Sequence, residues 1–210
     1  IAINRILAAS YEGGFVGKKV LYYYDKTDKY YDYNGTSATK AFLRSPLKFT
    51  RISSGFGKRF HPILRKWHFH GGIDYAAPVG TPVQAVGDGV ISYVGTAGAA
   101  GKMIKIKHRG GYESMYLHLS RILVKNGQKV SQKKIIAHVG NSGRSTGPHL
   151  DFRLKHKGKF LNPLKHVAPR TEPLKNTNLT KFRNKIKELK EMLDGHSAES
   201  SAAIDQAIQN

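Results

Sequence analysis

Between residues 49 and 166 the apolar positions come in short alternating runs cut by glycine and proline. Val83-Gln84-Ala85-Val86 is followed by Gly87-Asp88-Gly89 and then by Val90-Ile91-Ser92-Tyr93-Val94. Met103 to His108 alternates, turns at Gly110-Gly111 and continues as Tyr112 to Leu119. Lys134 to Val139 and His149 to Leu154 follow, the last turning back at Lys157-Gly158. Side chains of a strand change face at every residue, so alternation of period two broken by turn residues predicts many short strands. The expected fold class is mostly β, with antiparallel sheet.

The ends of the chain are patterned differently. An aromatic block, Val20 to Tyr24 and Tyr30 to Tyr33, is interrupted by Lys26-Thr27-Asp28-Lys29 and reads as a β-hairpin. Its tyrosines suit either packing at strand spacing or contact with a sugar. Near the other end, Leu179, Phe182, Ile186, Leu189 and Leu193 recur at three- and four-residue steps. That spacing predicts one amphipathic helix over 179–194, capped by Asn178 and ended by Gly195. The small polar residues from Ser200 onward are expected to fray. The expected organisation is an N-terminal β segment over 1–48, a β domain over 49–166, and a linker, helix and polar tail over 167–210.

Composition narrows the partners. Thirty-five Lys and Arg against 14 acidic residues give a formal charge of +21, which draws the chain toward polyanions: nucleic acid, anionic lipid or acidic envelope polymers. No zinc-finger spacing, basic zipper helix or RNA-recognition signature is present, so no specific nucleic-acid partner is expected. Cysteine is absent, which excludes disulfides and thiol chemistry. No apolar run approaches the roughly 20 residues a spanning helix needs. A first residue Ile1 without Met is what a processed or trimmed chain shows.

Ten histidines are present, and four segments hold those of interest. In His68-Phe69-His70-Gly71-Gly72-Ile73-Asp74 the glycine pair argues against helix and for a turn entering a strand. His70 and Asp74 there are either metal ligands or a surface pair. In Gly147-Pro148-His149-Leu150-Asp151-Phe152, Leu150 and Phe152 take one strand face and His149 with Asp151 the other, as solvated surface or half of a site. The preceding glycine-punctuated loop, 140–147, can bring backbone donors near a substrate. His118 alternates with Leu117 and Leu119 at an expected strand end, as a structural or a catalytic residue. His61 before Pro62 reads as a loop-fixing hydrogen bonder.

Taken in order, "SSGFGKRFHPI", "HFHGGIDYAAPVGTPVQAVGDGVI", "MYLHLS", "VKNGQKVSQKKIIAHVGNSGRSTGPHLDF" and "LNPL" resemble the M23 (LytM, lysostaphin-like) peptidoglycan endopeptidases over about residues 50 to 166. The upstream "YYYD" and "AFLRSP" resemble the segment leading into Gram-negative members that cut cross-linked stem peptides. The resemblance implies an antiparallel LytM-type metallopeptidase domain holding one zinc ion through His70, Asp74 and the residue at 151, with His118 and His149 catalytic. It also implies peptidoglycan stem peptides as substrate, cell-wall remodelling as the role, and a periplasmic or envelope location. Position 151 departs from the family pattern, because Asp151 stands where a second histidine is usual. A set with two carboxylates is accepted by zinc but suits harder divalent ions better. The outcomes it allows are a working variant site, one of reduced metal affinity, or a degenerate scaffold that binds the wall or a partner hydrolase.

Overall fold

The computed structural model describes residues 5–13, 17–48, 51–61 and 66–208. They form two compact units, one of residues 1–40 with 169–210 and one of residues 41–168.

The first unit pairs both ends of the chain. Strands β1 (Ala8–Gly13), β2 (Gly17–Tyr24) and β3 (Lys29–Tyr31) form an antiparallel sheet in that order. Alternation along β2 sends Tyr22 and Tyr24 to one face, where they and Tyr31 meet the edge of Phe182 at ring-centroid distances of 6.5, 5.4 and 5.8 Å. Phe182 lies on α1 (Asn176–Ile208) and is fully buried, as is Ile186 one turn on. These tyrosines therefore serve packing. The helix is longer than its apolar stripe indicates: it begins before Asn178 and continues through Gly195 and Ser200. One interior glycine costs a helix only about 1 kcal/mol, and Ala202 and Ala203 beyond it favour continuation.

The second unit is built on strands β4 (Arg51–Ser54), β7 (Ile73–Ala76), β8 (Pro82–Gln84), β9 (Gly89–Thr96), β10 (Lys102–Lys107), β11 (Tyr112–Ile122), β12 (Lys129–Val130), β13 (Ile135–Val139), β14 (His149–His156) and β15 (Lys159–Leu161). They make one ten-stranded sheet with the path β12-β9-β10-β11-β14-β7-β4, while β13 pairs β11 and β8, and β15 pairs β14. A separate hairpin joins β5 (Gly57–His61) to β6 (Lys66–His70). Ile73, Tyr75, Ile104, Tyr116, Leu150 and Phe152 are among the buried core residues, so β7, β11 and β14 are held rigidly at the centre. Phe42 and Leu47 also lie in this core, which places residues 41–48 with the second unit. Strand β11 does not stop at Leu119 but continues to Ile122 across register irregularities facing β10 and β13.

A buried polar chain crosses this core. His108 Nδ1 donates to the Asp88 carbonyl at 2.8 Å, which leaves Nε2 to accept from Ser114 Oγ at 2.7 Å. Ser114 Oγ is 3.1 Å from the Tyr116 hydroxyl, which accepts from the Val86 N–H at 2.9 Å. Burial holds the His108 pKa below its ordinary 6.5, against the opposing pull of its Asp88 bond. The unfolded chain then binds the proton more readily, so the stability contribution of neutral His108 is present above pH 6.5 and lost as pH falls through the folded value. Denaturant unfolding at pH 7 and pH 5 is expected to show a loss of stability on acidification that is smaller in His108→Gln. Equal losses in the two proteins would refute the assignment.

Candidate metal centre

Strand β6 delivers His70 to the start of a Gly71-Gly72 turn, and β7 carries Asp74 away from it. Neither glycine adopts positive φ, so both are needed for space. A Cβ on Gly72 would lie 2.6 Å from Asp151 Oδ1, Arg153 Cγ and the Phe152 carbonyl, and one on Gly71 would lie 3.0 Å from the Phe160 ring. The turn can press against β14 only because it has no side chains.

Antiparallel register then sets Asp74 directly opposite Asp151. Leu150 and Phe152 enter the core, so His149, Asp151 and Arg153 share the other face of β14. Two acids directly opposite across a strand pair repel and require a compensating cation. His70 stands over both, with Nε2 at 3.1 Å from Asp74 Oδ1 and 3.6 Å from Asp151 Oδ1. Its Nδ1 donates to the Gly55 carbonyl at 2.8 Å, which orients the ring and leaves Nε2 as the inward nitrogen. Burial opposes a charge on His70, but the hydrogen bonds to Asp151 and Asp74 outweigh it and raise its pKa to about 9. Burial likewise opposes charge on Asp151, and the bonds from His70 and Arg153 overcome it and hold the carboxyl at about 2.

The donor set fits a metal ion. Ligand atoms of His70, Asp74 and Asp151 all lie within 4.8 Å of one another. Ligands bound to zinc at about 2.0–2.2 Å in a tetrahedron are spaced by roughly 3.4 Å, between the two imidazole–carboxylate distances found here. Imidazole and carboxylate are both ordinary zinc donors.

Two further histidines sit alongside. His118 has φ of +60° within β11, next to the register shift against β13, and this left-handed kink re-aims its side chain out of the strand's alternation. Its Nδ1 donates to the Ser142 carbonyl at 2.8 Å. His149 has Nδ1 at 2.8 Å from the Gly147 carbonyl and 3.1 Å from Ser145 Oγ, and Nε2 at 3.9 Å from Asp74 Oδ1. The two rings lie 4.7 Å apart. Each ring is thus anchored through Nδ1, leaving Nε2 as proton acceptor. Burial lowers the His118 pKa below 6.5 against the pull of the Ser142 bond, and the neighbouring His149 lowers it further.

The five side chains singled out in the sequence, His70, Asp74, His118, His149 and Asp151, come together at one place. His61 ends β5, and its side chain lies outside the described residues. The 140–147 loop acts through carbonyls at Ser142 and Gly147, in addition to any N–H it offers. Ser142 is itself tied down, donating from Oγ to the Leu119 carbonyl at 2.8 Å and accepting from the Lys102 N–H at 2.9 Å. Arg153, Ser142, Ser145 and Gly55 were not foreseen. Ser142 and Ser145 lie in the loop marked out for its backbone groups, Gly55 lies in the first quoted motif, and Arg153 sits two residues beyond Asp151 on the same strand face.

The profile of Peptidase family M23 matches residues 68–163. The chain is 42% identical over 179 residues to the peptidoglycan DD-endopeptidase ShyA of Vibrio cholerae, covering 84% of this chain and 42% of ShyA. A crystal structure of a zinc-containing peptidase from Vibrio cholerae aligns with a TM-score of 0.61 at 37% identity, over 79% of this chain and 51% of that one. A single-site mutant of the catalytic domain of the prophage-encoded M23 protein EnpA from Enterococcus faecalis aligns at 35% identity and a TM-score of 0.52, over 59% of this chain and 98% of that domain. The chain therefore spans less than half the length of the curated relative ShyA.

Gly72→Ala probes the close approach of turn to strand. The added methyl must push the Asp151 carboxylate or the Arg153 stem aside, at a cost of about 1–3 kcal/mol. A lower unfolding midpoint and weaker zinc uptake in competition with a chromophoric chelator are expected. Uptake and stability equal to the unmodified protein would show that the approach is not tight.

Proposed function

Because the chain belongs to peptidase family M23, we propose that it is a metal-dependent endopeptidase that hydrolyses the peptide cross-links of bacterial peptidoglycan, with zinc held by His70, Asp74 and Asp151. The observation that carries this reading is the pair of half-buried Asp74 and buried Asp151 focused on one imidazole nitrogen, with two more histidines beside it. Zinc, when bound there, supplies a Lewis acid that polarises an amide carbonyl and lowers the pKa of an attacking water.

The chain's own residues supply the rest. His118, kept neutral by burial, accepts at Nε2 the proton of a water attacking the scissile amide, while Ser142 holds the ring through Nδ1. The imidazolium so formed is the acid that returns a proton to the departing amine. His149, fixed through Nδ1 by the Gly147 carbonyl and Ser145, presents its Nε2 to the same space and accepts a hydrogen bond from the attacking water, which orients it. The bond proposed is the D-Ala to diaminopimelate cross-link, a choice supported by the name of ShyA as a DD-endopeptidase. A charge of +21 suits anionic wall polymers in the periplasm or envelope. Among the described residues no helix is long and apolar enough to cross a membrane.

A second reading is favoured by one observation. Arg153 pairs with Asp151 at 2.6 Å, so Arg153 and His70 together balance the two acids without any metal. The fold then serves as a scaffold that binds the wall or a partner hydrolase. Zinc analysis and digestion of purified cross-linked muropeptide dimers separate the readings. The hydrolase is expected to carry about one zinc per chain. It should convert dimers to monomers, stop with a chelator and recover with zinc. His118→Ala should keep the zinc and lose about 100-fold or more in turnover. Absence of both zinc and cleavage in the unmodified protein leaves the scaffold.

A further inference from the structure

Arg153 meets the Asp151 carboxylate with its fork: Nη2 donates to Oδ2 at 2.6 Å, and Nε lies 3.0 Å from Oδ2 and 3.1 Å from Oδ1. Asp151 is 3% exposed, and Gly72 closes the other side so tightly that a Cβ there would meet both Asp151 Oδ1 and Arg153 Cγ at 2.6 Å. The carboxylate is thereby fixed in rotation. Oδ2 takes two guanidinium donors, Nη2 and Nε, whereas Oδ1 takes only a share of Nε and is the oxygen turned toward His70 Nε2.

From this arrangement, and resting on the metal reading above, we propose that Arg153 is a positioning residue: it occupies the second oxygen of Asp151, so that the carboxylate offers the metal one oxygen, and it offsets the charge of one of the two acids. Without it, Asp151 has two equivalent oxygens at one face of the site. A carboxylate free to turn chelates a divalent ion through both. That second oxygen would fill the coordination position a zinc hydrolase keeps open for substrate. The site would bind its ion more firmly and work less well. A lysine cannot substitute, because an ammonium is a point donor without the planar fork that sets two donors on the one oxygen Oδ2.

Cobalt(II) reports coordination directly, since its visible absorption is intense at four ligands and weak at higher number. The unmodified protein loaded with cobalt is expected to absorb intensely. Arg153→Met should bind cobalt at least as tightly, absorb several-fold more weakly and lose about 10–100-fold in turnover of muropeptide dimers. Arg153→Lys retains the charge; it should hold cobalt with wild-type affinity yet absorb more weakly, and it carries the test if Arg153→Met does not fold. An intense spectrum in either variant overturns the positioning role. So does cobalt affinity that falls in step with turnover, the pattern of a residue needed only for packing. Failure of the unmodified protein to bind cobalt overturns the metal reading itself, a result separable from the others.

Discussion

Two carboxylates facing each other across adjacent strands, both largely shut off from water, form the constraint around which the second unit is arranged. Asp74 and Asp151 repel, and in a region of low dielectric that repulsion is weakly screened. Positive charge must come to them. His70 arrives on a hairpin, Arg153 from the same strand, and a divalent ion suits the space that remains. The carboxylates, the raised basicity of His70 and the depressed pKa of Asp151 are one electrostatic arrangement seen from different atoms.

Rigidity comes from the other face of the same strands. Leu150 and Phe152 alternate with His149 and Asp151, so each residue that fastens β14 into the core fixes the direction of a neighbour in the candidate site. His118 and His149 obey a second rule: their outer nitrogens are tied to carbonyls of the glycine-rich loop, and that loop is clasped by Ser142 to β10 and β11. The His118 ring is thus oriented by a carbonyl 24 residues on, and the His149 ring by one only two residues before it.

This explains which parts of the molecule were legible beforehand. Strands over 83–161 follow from alternation and glycine turns, because both are local properties of the chain. The convergence of His70, Asp74, His118, His149 and Asp151 was reached through motif order. The cross-strand opposition of the two acids depends on register, which short-range pattern does not encode. Arg153 shares the face of Asp151 by simple alternation, but its pairing depends on the room left by Gly72. The helix stop at Gly195 failed for a different reason: a single glycine is a weak obstacle, and the alanines beyond it favour helix. His118 escaped the regular pattern because its backbone leaves the extended region at that residue.

The first unit joins residues separated by most of the chain, with Tyr22, Tyr24 and Tyr31 closing on Phe182 and Ile186. During synthesis the early hairpin must therefore wait, its aromatic face without a cover, until the late helix leaves the ribosome. The contiguous unit between them can close first. Its completion ties down the intervening 128 residues, so the loop that the two outer segments still have to close is much shorter in effect, and the entropy lost on joining them falls.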